Sequence, residues 1–191
     1  MFMFGEVEIN CLRFCIPFWF YTRKKAKIDS TKNDPRTPPG AKKILKTEGK
    51  WVSKSVSFSN NCISTMEELP SVISQLLAYP SELTWLDLSF NRISSILPVL
   101  FPNVHFQLFS DFPNLYILYL HGNELSSESD LKHLSDIRSL RNLTLHGNKI
   151  CELEREKVLC RLPQLKKLDF TTITSKERQN AEIWIKLNSK K

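Results

Sequence analysis

Past Trp51 the apolar positions of the chain fall into a frame that recurs around four asparagines. Val56, Phe58, Asn61 and Ile63 are followed by Leu83, Leu86, Leu88, Asn91 and Ile93. Then come Leu115, Leu118, Leu120, Asn123 and Leu125, and after them Leu140, Leu143, Leu145, Asn148 and Ile150. Only Ser53, where the first unit should open on a leucine, breaks the frame. In each unit two apolar residues stand two apart, the signature of a short strand with one face buried. The asparagine then turns the chain, and its amide is expected to satisfy backbone groups that the turn leaves unpaired. Leu145 should lie buried between Leu120 and Phe170 of the neighbouring units.

The intervals between the asparagines are 30, 32 and 25 residues. The first is lengthened by 67–79, where Leu69, Val72, Ile73, Leu76 and Leu77 keep helical spacing. The second holds two Phe-Pro-Asn triplets, and only the one at 112–114 sets a leucine, Leu118, at the inward position. Residues 101–108 therefore read as an insertion on the outer side. Beyond Asn148, Val158, Leu159 and Leu162 suit an outer helix, and Leu165, Leu168 and Phe170 begin a fifth strand with no asparagine after it. Thr174 and Glu177 form a capping-box start for a last helix carrying Ala181, Ile183, Trp184 and Leu187, placed to cover the end of the stack.

Four such units at this spacing resemble the leucine-rich-repeat family. The segment 157–178, with Leu162-Pro163, Leu165, Leu168-Asp169-Phe170 and Ser175-Lys176-Glu177-Arg178, resembles the C-terminal cap of its intracellular members, among them phosphatase-regulatory, spliceosomal and axonemal dynein-associated proteins. Asp34-Pro35-Arg36-Thr37, Trp85-Leu86-Asp87-Leu88, Leu118-Tyr119-Leu120-His121-Gly122-Asn123, Leu143-Thr144-Leu145-His146-Gly147-Asn148 and Ala181-Glu182-Ile183-Trp184 extend the likeness over residues 34–188. The implied fold is an α/β leucine-rich-repeat solenoid with a short parallel sheet on its concave face, outer helices and a C-terminal capping helix. The resemblance also implies a cytoplasmic protein without catalysis, and it transfers no functional residues.

Charge divides the chain unevenly. Residues 1–50 hold 11 Lys and Arg against 5 Asp and Glu, whereas 51–191 hold 16 against 15. Residues 1–50 thus read as a basic, disordered tail with an aromatic-rich start, and 51–191 as the repeat domain of four repeats, a fifth strand and a cap. The near-neutral repeats argue against a nucleic-acid face. Membrane-surface attachment through residues 1–27, aromatic then basic, is the weaker alternative to a solvated tail. Five cysteines without a framework point to a reducing compartment. The pattern contains no phosphate-binding glycine loop, no HExxH and no nucleophile elbow, so neither an enzyme nor a cofactor is expected. The Asn142-Leu143-Thr144 glycosylation acceptor falls inside a strand and reads as chance.

Alternation leaves Lys54, Ser55, Ser57, Thr84, Trp85, Asp87, Tyr116, Ile117, Tyr119, Arg141, Asn142, Thr144, Lys166, Lys167 and Asp169 on the concave face. Trp85, Asp87, Tyr116, Ile117, Tyr119, His121, Thr144 and His146 are the expected partner-binding residues, because Trp and Tyr anchor protein interfaces. His121 and His146 share a column, but Ser89 and Thr171 beside them supply no third metal ligand, so no metal is expected. The reading is a monomeric, cytoplasmic scaffold or adaptor that binds a protein partner. The alternatives are an RNA- or spliceosome-associated protein, an axonemal or ciliary adaptor, and the membrane attachment above.

Overall fold

The computed structural model describes residues 45–47, 49–96, 108–152 and 155–188. A hairpin opens it, β1 (Leu45–Thr47) antiparallel to β2 (Lys50–Val52), so ordered structure spans the boundary expected at residue 50. The hairpin leans on the first repeat: Trp51 bridges Leu77, and the Lys50 ammonium donates to the Ser74 carbonyl at 2.8 Å.

The concave sheet runs β3 (Ser55–Ser57), β4 (Trp85–Asp87), β5 (Ile117–Tyr119), β6 (Asn142–Thr144), β7 (Lys167–Leu168) and β8 (Thr171–Thr172), parallel through β7. The register aligns Val56, Leu86, Leu118, Leu143 and Leu168 as one inward column. All five are buried, with Phe58, Leu88, Leu120 and Leu145 as the next layer. Outside the sheet, α1 (Leu69–Leu76), α2 (Glu128–Ser135) and α3 (Arg155–Arg161) return the chain, with a 3-10 turn at Pro80–Glu82. The helix expected over 67–79 is thus shorter, because Pro80 and the extended Leu77 end it. Of the expected insertion at 101–108, all but Leu108 lies outside the described residues.

The asparagines form a ladder between repeats. Each of Asn91, Asn123 and Asn148 donates to a carbonyl of its own strand and to one in the preceding repeat, while its Oδ1 accepts a backbone amide from that repeat. Asn61 opens the ladder, and its buried Oδ1 has no partner. A second tie is Asp130, whose Oδ1 accepts from the Ile96 amide at 2.8 Å and the Ser95 hydroxyl at 3.3 Å. Burial pushes its carboxyl above the ordinary aspartate range.

The C-terminal end departs from expectation. Asp169 and Phe170 both take positive φ, 50° and 64°, and turn the chain so that β8 runs back along β7. Two positive φ values at the centre of a two-residue hairpin are the type I′ signature. Phe170 therefore does not flank Leu145 in the core as the apolar frame suggested; it stands 54% exposed on the concave side.

The capping box forms as expected. Thr174 donates its amide and hydroxyl to Glu177 Oε2, and Glu177 returns its amide to the Thr174 hydroxyl. These bonds, the Thr174 amide first, with Arg155 at 2.7 Å, hold the Glu177 carboxyl down to about 2. They start α4 (Ser175–Asn188), which buries Ala181 but leaves Ile183 and Leu187 exposed, contrary to a fully apolar cap. Part of the capping is polar: the Arg178 guanidinium donates to the carbonyls of Leu159, Leu162 and Leu165 where α3 ends.

Candidate protein-binding face

The two edges of the concave sheet are built differently. At the edge where strands begin, one carbonyl takes two amides from the next repeat: Lys54 from Thr84 and Trp85, Thr84 from Tyr116 and Ile117, Tyr116 from Arg141 and Asn142, Arg141 from Lys166 and Lys167. The amides at this edge are thus satisfied by backbone, with the Thr84 hydroxyl as a further donor to the Lys54 carbonyl at 3.1 Å. Lys54 and Glu82 pair at 3.3 Å, and with Thr84, Asn114, Tyr116 and Ile117 they line an open groove of about 540 Å3. Tyr116 is 42% exposed in it, and Ile117 half-buried. Arg141 and Lys166, just before β6 and β7, and Lys167 on β7 follow along the same edge.

The middle of the face is closed, which corrects the sequence expectation for most of the candidate residues. Trp85 is only 1% exposed, and Asp87, Tyr119, His121 and Thr144 are buried as well. Alternation does point them away from the leucine layer, but other side chains cover them. Tyr119 meets the Trp85 ring edge-on at 5.8 Å, and Phe170 folds back to within 5.4 Å of Tyr119 and 5.8 Å of His121. Asp87 accepts from the Ser89 amide and hydroxyl at 2.9 and 2.6 Å and from the Ser57 hydroxyl at 3.3 Å. Thr144 stands 2.8 Å from His121 Nδ1. Tyr116, Ile117 and His146 keep accessible surface.

At the edge where strands end, His121 and His146 stack at 4.6 Å with rings 15° from parallel. Parallel stacking turns the ring edges to different neighbours: His121 to Thr144, and His146 to Asp169 at 3.1 Å. The sequence reading placed Thr171 beside His146, but the turn removes it to β8 and leaves Asp169 there. Asp169 Oδ1 also accepts the Leu145 and His146 amides at 2.7 and 2.9 Å, taking the place of the carbonyl that a longer fifth strand would offer. Among the described residues no group of three His, Cys, Asp or Glu side chains converges as a metal site would require.

One row at this edge was missed by sequence reasoning. The residue before each ladder asparagine has positive φ: Asn60 (59°), Phe90 (54°), Gly122 (67°) and Gly147 (71°). Three of these are residues that visit this region readily; Phe90 is not. Its ring, 50% exposed, packs edge-on against His121 at 5.0 Å and covers Gly122, where a Cβ would come within 2.7 Å of it. The available signal was the column itself, in which a Phe stands where its neighbours are Asn and Gly.

Comparison with known proteins agrees with this architecture. The family model for the leucine-rich repeat matches residues 52–191. Leucine-rich repeat-containing protein 51 of Rattus norvegicus is 38% identical over 164 residues, covering 85% of this chain and 80% of the relative. U2 small nuclear ribonucleoprotein A' of Saccharomyces cerevisiae is 42% identical over 71 residues, 36% of this chain and 30% of that protein. In the crystal structure of the Drosophila melanogaster SNF/U2A' complex, a chain superposes with a TM-score of 0.59 at 28% identity, covering 72% of this chain and 71% of that one. Leucine-rich-repeat proteins are generally interaction modules without catalysis, and no catalytic family is indicated. The asparagine ladder, the parallel concave sheet and the match over residues 52–191 together place this chain in the leucine-rich-repeat family.

Proposed function

We propose that the chain is a protein-binding module, a cytoplasmic scaffold or adaptor that takes one partner on its concave face and carries out no reaction itself. The observation that carries this is the accessible apolar surface gathered on one side of the sheet. Tyr116 and Ile117 sit at one edge and Phe90 and Phe170 at the other, over a buried aromatic floor. Exposed aromatic side chains on a rigid platform are what interface anchors are made of. The similar SNF/U2A' structure is itself a complex, which supports an assembly role.

The test is affinity capture with the full chain, followed by titration of the purified partner. Tyr116→Ser with Ile117→Ser should weaken binding about 30-fold, the effect of losing ~2 kcal/mol. Lys132→Ala, exposed on α2, is the control and should bind like the parent. Binding that survives the concave pair but is lost in the control would move the site to the helical side.

The likeness to U2 small nuclear ribonucleoprotein A' favours a second reading, association with a ribonucleoprotein particle. RNA retention that falls steeply with salt would support it; the near-neutral charge of residues 51–191 favours the first.

A further inference from the structure

We infer that Phe90 and Phe170 are the anchors of the docking surface and that the partner segment seated there is acidic as well as apolar. This rests on the protein-binding reading above and names the chemistry of its partner. Both rings contact His121, so they belong to one aromatic edge, and each is about half exposed although both pack on that edge. Neither is required by its turn. The backbone shape at Phe90 is met by glycine in the next two repeats, and the Asp169-Phe170 turn is of the type that favours glycine at its second position. A large L side chain at positive φ is strained, and such strain persists where the surrounding structure enforces it, typically at sites of recognition. The fold thus holds two aromatic rings out of their preferred backbone region and leaves them half in water.

Across the face, at the edge where β6 and β7 begin, the accessible charge has one sign. Lys167 opens β7, paired to Asn142, and Arg141 and Lys166 immediately precede β6 and β7; the Arg141 guanidinium also donates to the carbonyls of Arg138 and Leu140. Among the described residues no carboxylate forms an ion pair with any of the three. The nearby acids are engaged: Asp87 is buried on serines, and Asp169 binds two amides and His146. From the Asn142–Lys167 pair to His146, two residues past the end of β6, the chain runs four residues, roughly 13 Å at full extension. A segment with an apolar pair at one end and carboxylates about 13 Å away, some two helical turns, would meet both.

The probes are labelled synthetic peptides with a Leu-Phe pair and three glutamates at that separation, titrated against the full chain by fluorescence anisotropy. Matched peptides carry lysines for the glutamates or serines for the apolar pair, and an oligouridine RNA is the nucleic-acid arm. The acidic, apolar peptide should bind at least ~10-fold more tightly than either matched peptide and than the RNA. Phe90→Gly and Phe170→Gly should each weaken it ~10-fold or more with thermal melting little changed, and Lys166→Glu with Lys167→Glu should reverse the preference between glutamate and lysine. Equal binding of the acidic and basic peptides, tighter binding of the RNA, full affinity in Phe90→Gly, or no peptide binding overturns the inference. If none binds while the captured partner still depends on Tyr116 and Ile117, the protein-binding reading stands and this one falls.

Discussion

Gly122 and Gly147 share one backbone shape with Phe90, and the two sorts of residue put it to opposite uses. At the glycines the left-handed turn is a packing device. A Cβ on Gly147 would sit 3.2 and 3.3 Å from the Gly122 amide nitrogen and Cα, and one on Gly122 would press on the Phe90 ring. At Phe90 the same turn projects a ring onto His121 and into solvent. Where the stack needs two repeats to approach closely, the side chain is absent; where a repeat faces outward, a large one is retained against its backbone preference. A conformation can thus be common to a whole column while its reason differs from one repeat to the next.

The largest effect should come from the floor beneath this edge. Trp85→Ala should cost about 3–5 kcal/mol in denaturant unfolding, the usual penalty for an interior aromatic truncation. Trp85→Phe should cost much less, because it keeps a ring against Tyr119 and removes a buried indole Nε1 that lacks a partner. Next is the ladder: Asn123→Ala strands the amide of Ile93 and takes one of two asparagine donors from each of the Leu88 and Leu120 carbonyls, at about 1–3 kcal/mol. An unfolding midpoint equal to the parent's would show that the ladder is not what couples the repeats.

Gly122→Ala should cost about 1–2 kcal/mol, from positive φ and from the ring above it. It should cost measurably less in a Phe90→Gly background, where only the backbone term remains. Equal costs in the two backgrounds would mean that the ring yields freely and that glycine is kept there for φ alone.

A smaller, pH-dependent effect is expected at the cap. Glu177 titrates at about 2 in the folded chain against 4.5 for an ordinary glutamate, so its contribution is present above pH 4.5 and is lost as pH falls toward 2. Glu177→Gln should flatten that part of the acid-unfolding profile. Parallel profiles for parent and variant would show that the capping box adds nothing to acid resistance.

The leucine layer and the ladder were legible in the sequence because each is a demand repeated in register: Leu86, Leu118, Leu143 and Leu168 meet the same neighbours, and so do Asn91, Asn123 and Asn148. The closed centre of the concave face was not. Alternation tells which side of a sheet Trp85 and Tyr119 occupy, but Tyr119 packs on Trp85 and is itself met by Phe170, more than fifty residues on, through a turn that no apolar period encodes. Phe170 itself fitted the inward frame by spacing. Only the lack of an asparagine after it, where Ile173 stands, marked the end of the repeats.

Equilibrium urea unfolding of Phe90→Gly beside the parent tests most directly whether the ring at this edge serves something other than folding. Relief of a left-handed L residue, ~1–2 kcal/mol, opposes the loss of a half-buried ring, itself ~1–1.5 kcal/mol, so the stability should stay within about 1 kcal/mol of the parent. A loss of about 3 kcal/mol or more, the size expected for Trp85→Ala, would make Phe90 a core residue and contradict the account.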